Sequence, residues 1–210
     1  MTVQEYFETL GVSDSRDLRR ARYRVINAYG FVGFQLGEAA LVDTGHYRPE
    51  AVVHESDEGR SLCDRFYIGG LPDGVWRDGV REVLVRRPRT ARDVLATDVN
   101  RWRGTFTGKD GIHDMEDLKD PAKQTKAVLT LWEHNHRILI EARGIAHTSR
   151  SGPVTTSGAL AAAHLCGPHG VVRFLAYGRP QTDEFKTSLE RYLTAFSGYR
   201  TPYEDIDLAD

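Results

Sequence analysis

A cluster of glycines near the front of the chain constrains its fold more than any other feature. The segment Tyr23–Asp43 reads YRVINAYGFVGFQLGEAALVD, and within it Gly30, Gly33 and Gly37 are spaced three and four residues apart. Glycine permits tight turns and lets the backbone approach another group without a Cβ atom in the way. Apolar residues stand between the glycines, so we predict a partly buried loop rather than a solvated linker.

Two amide side chains flank this loop. Asn27 and Gln35 each carry hydrogen-bond donors and an acceptor, and we expect them to hold a polar substrate from a rigid platform. A glycine-rich turn between two helices, with no chemical role, would explain the same residues. Both interpretations stay open on this segment alone.

The length of 210 residues is enough to bury one sizeable core, and no shift in composition marks a second domain. We therefore predict a single domain over residues 1–210, with an irregular middle section at about 47–100. The net charge of −2 gives no overall field that would favour nucleic acid as a partner. Two cysteines, Cys63 and Cys166, are too few for a disulfide framework or a zinc site. Buried thiols are expected, and one bridge between them stays open.

The ends and hydrophobic stretches of the chain bear on its location. No stretch reaches the length of a membrane-spanning helix, and the start MTVQEYFETLGV lacks the basic and apolar regions of a secretory signal. We expect a protein without a membrane span that is cytoplasmic as synthesised. Action at the cell envelope would then require delivery by a non-Sec route.

Apolar residues recur at helical spacing through most of the chain, which predicts a mainly α fold with a small hairpin beside a cleft. The longest such pattern starts at Pro121, a residue favoured in a first helical turn, and reaches Gly144. We expect this helix to be the central and most buried one. Shorter helices are predicted at residues 3–10, from residue 15, and at 37–44, 158–165, 169–178 and 183–196.

A second glycine-rich segment contains aromatic residues. In WRGTFTGKDGI, Trp102 and Phe106 stand among three glycines. An aromatic face can stack on the C–H surface of a sugar while backbone amides reach its hydroxyls, so the segment is typical of a carbohydrate cleft as well as of a packed loop. His134 and His136 point to different sides of a helix, so no metal site is predicted there. No cofactor is expected.

Four pieces of the chain, in order, carry a family resemblance: YRVINAYGFVGFQLGEAALVDTGHY, WRGTFTGKDGI, VTTSGALAAAHLCGPHGVVRFL and SLERYLTAFSGYRTP. Together they resemble a bacterial and phage lysozyme-like family of peptidoglycan hydrolases, related to lytic transglycosylases and goose-type lysozymes. The resemblance implies an α+β lysozyme-like fold and peptidoglycan or a related glycan as the partner. It also implies that Asn27, Gln35, Trp102 and Phe106 bind substrate.

The chain departs from this family at the catalytic position. Such relatives place a glutamate nine residues before the position that matches Asn27, and here that residue is Leu18. Cleavage of the bond between N-acetylmuramic acid and N-acetylglucosamine needs a carboxylic acid to protonate the leaving oxygen, which leucine cannot do. Asp17 is the nearest carboxylate and the candidate catalytic residue. The neighbouring arginines, Arg16 and Arg19 among them, favour its ionised form and so weaken it as an acid.

Two functions follow from this pattern. The first is a muramidase or lytic transglycosylase, reduced in activity, in which Asp17 or another nearby acid has taken the role of the proton donor. The second is a catalytically inactive lysozyme-like module that binds glycan or has a structural role in a phage-tail or secretion-type assembly.

Overall fold

The computed structural model describes residues 21–56, 59–67, 75–77, 80–86, 100–142, 154–179, 181–182 and 187–203, and only the backbone of those between 51 and 86. More of these residues lie in helices than in strands, so the prediction of a mainly α fold is confirmed. The helix predicted at residues 3–10 and the first part of the one predicted from residue 15, together with Asp17 and Leu18, lie outside the described residues, whereas residues 21–24 are helical. The candidate acid therefore stays a prediction.

The helices are α1 (Glu38–Asp43), α2 (Met115–Leu118), α3 (Pro121–Glu141), α4 (Thr156–Cys166), α5 (Pro168–Tyr177) and α6 (Leu189–Ala195). The strands are β1 (Tyr47–Arg48), β2 (Ala51–Ser56), β3 (Gly59–Tyr67), β4 (Val75–Arg77), β5 (Val80–Arg86) and β6 (Thr105–Phe106). None of the helices in the described ranges is both long enough and apolar enough to span a bilayer.

The chain divides into two compact units, Met1–Val128 and Leu129–Asp210. The boundary falls inside α3, which is one continuous helix, and not in a linker between separate folds. The single domain expected from the sequence thus stays a prediction.

The middle of the chain is more regular than the sequence suggested. Strands β2 to β5 form a four-stranded antiparallel sheet in the order β2-β3-β5-β4, with Val53 opposite Leu62 and Phe66 opposite Val83. The prediction of an irregular section at about 47–100 is wrong over these strands. Charged residues interrupt the apolar alternation that identifies a strand, and it is pairing between segments, not local propensity, that stabilises such strands.

A second, two-stranded sheet pairs β1 with β6, with Tyr47 opposite Phe106 and Arg48 opposite Thr105. It is antiparallel like the small hairpin that we predicted, but its strands come from distant parts of the chain. This pairing brings Tyr47, the last apolar residue of the first glycine-rich piece, against the aromatic piece.

Helix α3 begins at Pro121 as predicted. The Oδ1 atom of Asp120 accepts hydrogen bonds from the backbone N–H groups of Ala122 and Lys123, each at 3.0 Å, and so caps the first turn. Only one face of α3 is buried, and it carries Gln124, Ala127, Val128, Leu131, Asn135 and Leu139. The expectation that α3 is the most buried helix is wrong, because α4 buries seven of its 11 residues.

Helix α4 is the centre of the core of the second unit. The Oγ1 atom of Thr155 accepts a hydrogen bond from the N–H of Gly158 at 3.2 Å and caps the helix, which begins two residues before the predicted start at residue 158. Its small residues permit close packing against α6, since a Cβ at Gly158 would lie 2.4 Å from the carbonyl oxygen of Leu193. The core residues of this unit are Leu139, Ala159, Leu160, Ala162, Ala163, Val171, Phe174, Leu175, Leu189 and Leu193.

The last helix is shorter than predicted. Ser188 is extended, forms an isolated bridge with Thr182 and caps α6, so the helix begins at Leu189 and not at residue 183. Cys166, at the end of α4, is half-buried and forms no disulfide. The bridge to Cys63 that the sequence left open is therefore not formed.

The glycines of the first segment serve the protein's own packing. Gly33 has a φ of +53°, and a Cβ there would lie 2.0 Å from the Oε1 atom of Gln124, which is fully buried. Gly30 has a φ of +75°, and its Cβ would lie 2.2 Å from the carbonyl oxygen of Asn100. Both approaches are to atoms of the protein itself.

We predict that Gly33→Ala destabilises the fold by about 2 kcal/mol or more, because it combines a left-handed backbone with a clash against a buried side chain. Gly45→Ala is the matched control, since Gly45 has a φ of +76° but no atom within 4 Å of the added Cβ. This control should lose only the backbone contribution, on the order of 1 kcal/mol. Urea unfolding of both variants measures the difference, and equal losses would contradict the packing role of Gly33.

Candidate functional site

Buried hydrogen bonds join the glycine segment to the aromatic segment. Asn100 is 5% exposed and donates from its backbone N–H and from Nδ2 to the carbonyl oxygen of Tyr29, at 2.7 and 3.1 Å. Its Oδ1 atom accepts from the N–H of Glu38 at 2.6 Å. The Nε1–H of Trp102 donates to the carbonyl oxygen of Gly30 at 2.7 Å. These bonds hold the first two of the four sequence pieces against each other.

Three aromatic rings pack together where these segments meet. Trp102 and Phe106 are stacked, with centroids 5.9 Å apart and planes 9° apart. Tyr47 lies edge-on to both rings, at 5.4 and 5.1 Å. Tyr47 is buried, while Trp102 and Phe106 are half-buried. The structure thus brings together the two aromatic residues that the sequence selected.

A cleft of about 490 Å³ opens beside this cluster. Its size is within the range of small-molecule sites. Phe106 lines the cleft, whereas Trp102 supports the cleft through its stacking on Phe106. The other lining residues are Arg48, Pro49, Glu50, Arg103, Gly104, Thr105 and Thr107.

Asn27 and Gln35, the two amides that flank the loop, bond to each other, with Asn27 Nδ2 donating to Gln35 Oε1 at 2.9 Å. The Oδ1 atom of Asn27 also accepts from the backbone N–H groups of Tyr29 and Phe31, at 2.9 and 3.0 Å. Asn27 therefore holds the loop in shape. Gln35 is exposed and has a φ of +61°. Its contact with a glycan stays a prediction.

Glu38 is a buried carboxyl at the centre of the site, 4% exposed. The hydroxyl of Tyr47 donates to its Oε1 atom at 3.0 Å, and the backbone N–H of Arg101 donates to Oε2 at 3.3 Å. Burial raises the pKa of Glu38, while the bond from Tyr47 and the backbone N–H groups of Arg101, Trp102 and Arg103 oppose that rise. The sequence alone did not identify Glu38 as a site residue.

Thr44, His46 and Asp110 are linked in a chain of side-chain hydrogen bonds. His46 is fully buried, with Nδ1 at 2.8 Å from Thr44 Oγ1 and Nε2 at 2.8 Å from Asp110 Oδ2. Burial lowers the pKa of His46 and favours neutral imidazole. A proton on Nε2 of the neutral ring is donated to Asp110 Oδ2, while Nδ1 lies against the Thr44 hydroxyl, which also bonds to the carbonyl oxygen of Ala40. Because Thr44 and His46 are both buried, this chain fastens α1 to the turn at Lys109–Gly111 rather than offering a nucleophile.

Two further residues of the site escaped sequence reasoning. Gln124 is fully buried; its Oε1 accepts from Phe34 N–H at 3.1 Å, and its Nε2 donates to the carbonyl oxygens of Tyr23 and Leu118. Its position on the apolar face of α3 was the available signal. Glu50 lines the cleft with Phe106, and no local pattern marks it, because only the pairing of β1 with β6 places it there.

Asp43, at the end of α1, has an Oδ1 atom that is buried and accepts no hydrogen bond from the residues described. Burial raises the pKa of Asp43 to about 7. The folded state therefore favours the neutral carboxyl. The stability that this preference contributes is present at acidic pH and is lost as the pH rises through about 7.

We predict that the parent protein loses stability between about pH 5 and pH 8.5 relative to Asp43→Asn, which is neutral throughout. The expected difference is on the order of 1 to 3 kcal/mol, because one pKa unit corresponds to about 1.4 kcal/mol. Denaturant unfolding of both proteins at several pH values measures it. Parallel stability profiles would show that the Asp43 carboxyl is not held neutral by the fold.

Within the described ranges, no three His, Cys, Asp or Glu side chains gather into a potential metal site. Comparison of the chain with protein-family models, with characterised proteins and with solved structures finds no match. The resemblance to lysozyme-like hydrolases therefore depends on the four sequence pieces alone.

Proposed function

We propose that this chain is a lysozyme-like protein of the peptidoglycan hydrolase lineage whose cleft binds peptidoglycan or a related glycan strand. The single observation that carries the proposal is the stacked Trp102–Phe106 pair beside a cleft of about 490 Å³. Sugar rings present apolar C–H faces that pack on aromatic rings, and their hydroxyl groups bond to polar side chains and backbone amides.

The surroundings of the pair support a glycan ligand. Arg48, Thr105 and Thr107 line the cleft together with Phe106, so charged and hydroxyl-bearing side chains surround an aromatic ring. Arg48, Thr105 and Thr107 are also exposed. This mixture of one apolar face and several donors suits a partly polar ligand better than a wholly apolar one.

We predict that Phe106→Ala and Trp102→Ala each weaken binding of soluble muropeptide or chitooligosaccharide about five- to tenfold, which corresponds to a loss near 1 kcal/mol. Tyr177→Ala is the matched control, because Tyr177 is an aromatic residue 68% exposed in the other unit. Titration calorimetry measures the three affinities. If the control weakened binding as much as Phe106→Ala, or if neither cleft variant had an effect, the proposal would be wrong.

Hydrolysis of the glycan is the second candidate function, and the position of Glu50 favours it. Glycoside hydrolysis needs a carboxylic acid at the scissile bond, and Glu50 is the acidic residue that lines the cleft. Glu38 does not meet this need, because it is buried and its oxygen atoms accept hydrogen bonds from the protein. Asp17 is the candidate that the sequence provides.

Peptidoglycan turnover by the parent, Asp17→Asn, Glu50→Gln and Leu18→Glu separates binding from hydrolysis. The expected result is weak activity of the parent, because a positioned acid contributes roughly 10²- to 10⁴-fold and Leu18 occupies the family's position for it. Leu18→Glu should raise the rate. No turnover by any of the four proteins, together with glycan binding, would leave the inactive binding module. Strong neutral-pH turnover that Glu50→Gln abolishes would assign the acid to Glu50.

A further inference from the structure

We infer that Glu38 is the positioning residue of the glycan site: its buried carboxyl, bonded to the backbone N–H of Arg101 and to the hydroxyl of Tyr47, holds the Trp102–Phe106 pair in place. This inference deepens the proposed function and rests on it for the meaning of the pair. The role of Glu38 in placing the rings can be measured without any ligand.

The backbone at Trp102 needs such a partner. Trp102 has a φ of +53°, a left-handed conformation that a bulky aromatic residue adopts only when its surroundings enforce it. Successive N–H groups around a left-handed residue converge and form a concave site for an anion. The carboxyl of Glu38 occupies that place: the backbone N–H of Arg101 donates to its Oε2 atom at 3.3 Å, and the N–H groups of Trp102 and Arg103 also lower its pKa.

Tyr47 extends the same arrangement to the next residue. Its hydroxyl donates to Glu38 Oε1 and accepts from the N–H of Gly104. The ring of Tyr47 meanwhile lies edge-on to Trp102 and Phe106. Glu38 and Tyr47 therefore bind the backbone N–H groups of Arg101 and Gly104, which lie on either side of Trp102 and Arg103, and the ring of Tyr47 packs against both aromatic rings.

Glu38 is itself held from two directions. Its backbone N–H donates to Asn100 Oδ1 at 2.6 Å, and Glu38 opens helix α1. Both Glu38 and Asn100 are buried, so water does not compete for these bonds. The position of the Glu38 carboxyl is thus set by α1 and Asn100, and its hydrogen bond to the backbone of Arg101 in turn positions the segment that carries Trp102.

The test follows the emission of Trp102 in a background in which the other two tryptophans are replaced, Trp76→Phe with Trp132→Phe. Glu38→Ala removes every acceptor and should shift the emission of Trp102 to longer wavelength. Glu38→Gln keeps one carbonyl acceptor of the same length and should restore part of the parent spectrum. Glu116→Ala is the control, because it removes an exposed carboxylate of the same unit.

Glycan affinity is measured on the same proteins. Glu38→Ala should weaken binding about tenfold, Glu38→Gln less, and Glu116→Ala not at all. If Glu38→Ala does not fold, as a thermal melt would show, Glu38→Gln and Tyr47→Phe decide the matter in its place. Parent-like emission in every folded variant would overturn the inference, and so would a shifted emission with unchanged affinity. If the parent binds no glycan but the emission shifts, the proposed function fails while the placement of the rings by Glu38 stands.

Discussion

Hydrogen bonds from buried polar side chains hold together the irregular part of this protein, and the bonds of Glu38 are central to it. The segments that form the site have little regular structure of their own, yet their backbone groups are partly buried and need partners. Asn100, Gln124 and Glu38 supply those partners. Apolar packing alone would leave the shape of these loops undetermined, because hydrophobic contacts are not directional.

The two units are stabilised by different kinds of interaction. The second unit has a core of small and aliphatic residues, with Phe174, on four helices, α3 to α6, and its stability follows from close packing. In the first unit, buried Val32, Leu36 and Tyr47 alternate with buried amide and acid groups. A substitution in the second unit therefore acts mainly through volume, whereas a substitution among the polar residues of the first unit leaves buried partners unsatisfied.

The sequence predicted the helices well where one residue type carried the signal. Pro121 marked the start of α3 because its effect is local to the first turn. The four-stranded sheet escaped prediction because its strands depend on pairing between segments, and the late start of α6 because Ser188 pairs with Thr182. The sequence likewise selected Trp102 and Phe106 by type. It could not reveal that Glu38 lies beneath them, since 63 residues separate Glu38 from Arg101.

The four-stranded sheet bears on how the site assembles. Ala51 in β2 lies opposite Asp64 in β3, and Asp64 lies opposite Val85 in β5. Strands β2 and β5 are therefore two strand spacings apart, about 10 Å. The chain therefore leaves the first site segment and returns towards the second at nearly the same place. Once the sheet has formed, the effective loop between Gly30 and Trp102 is much shorter than their separation in sequence, and the entropy lost on closing it falls accordingly. By shortening this loop, the sheet makes the contact between Gly30 and Trp102 form as a contact between residues close in sequence would.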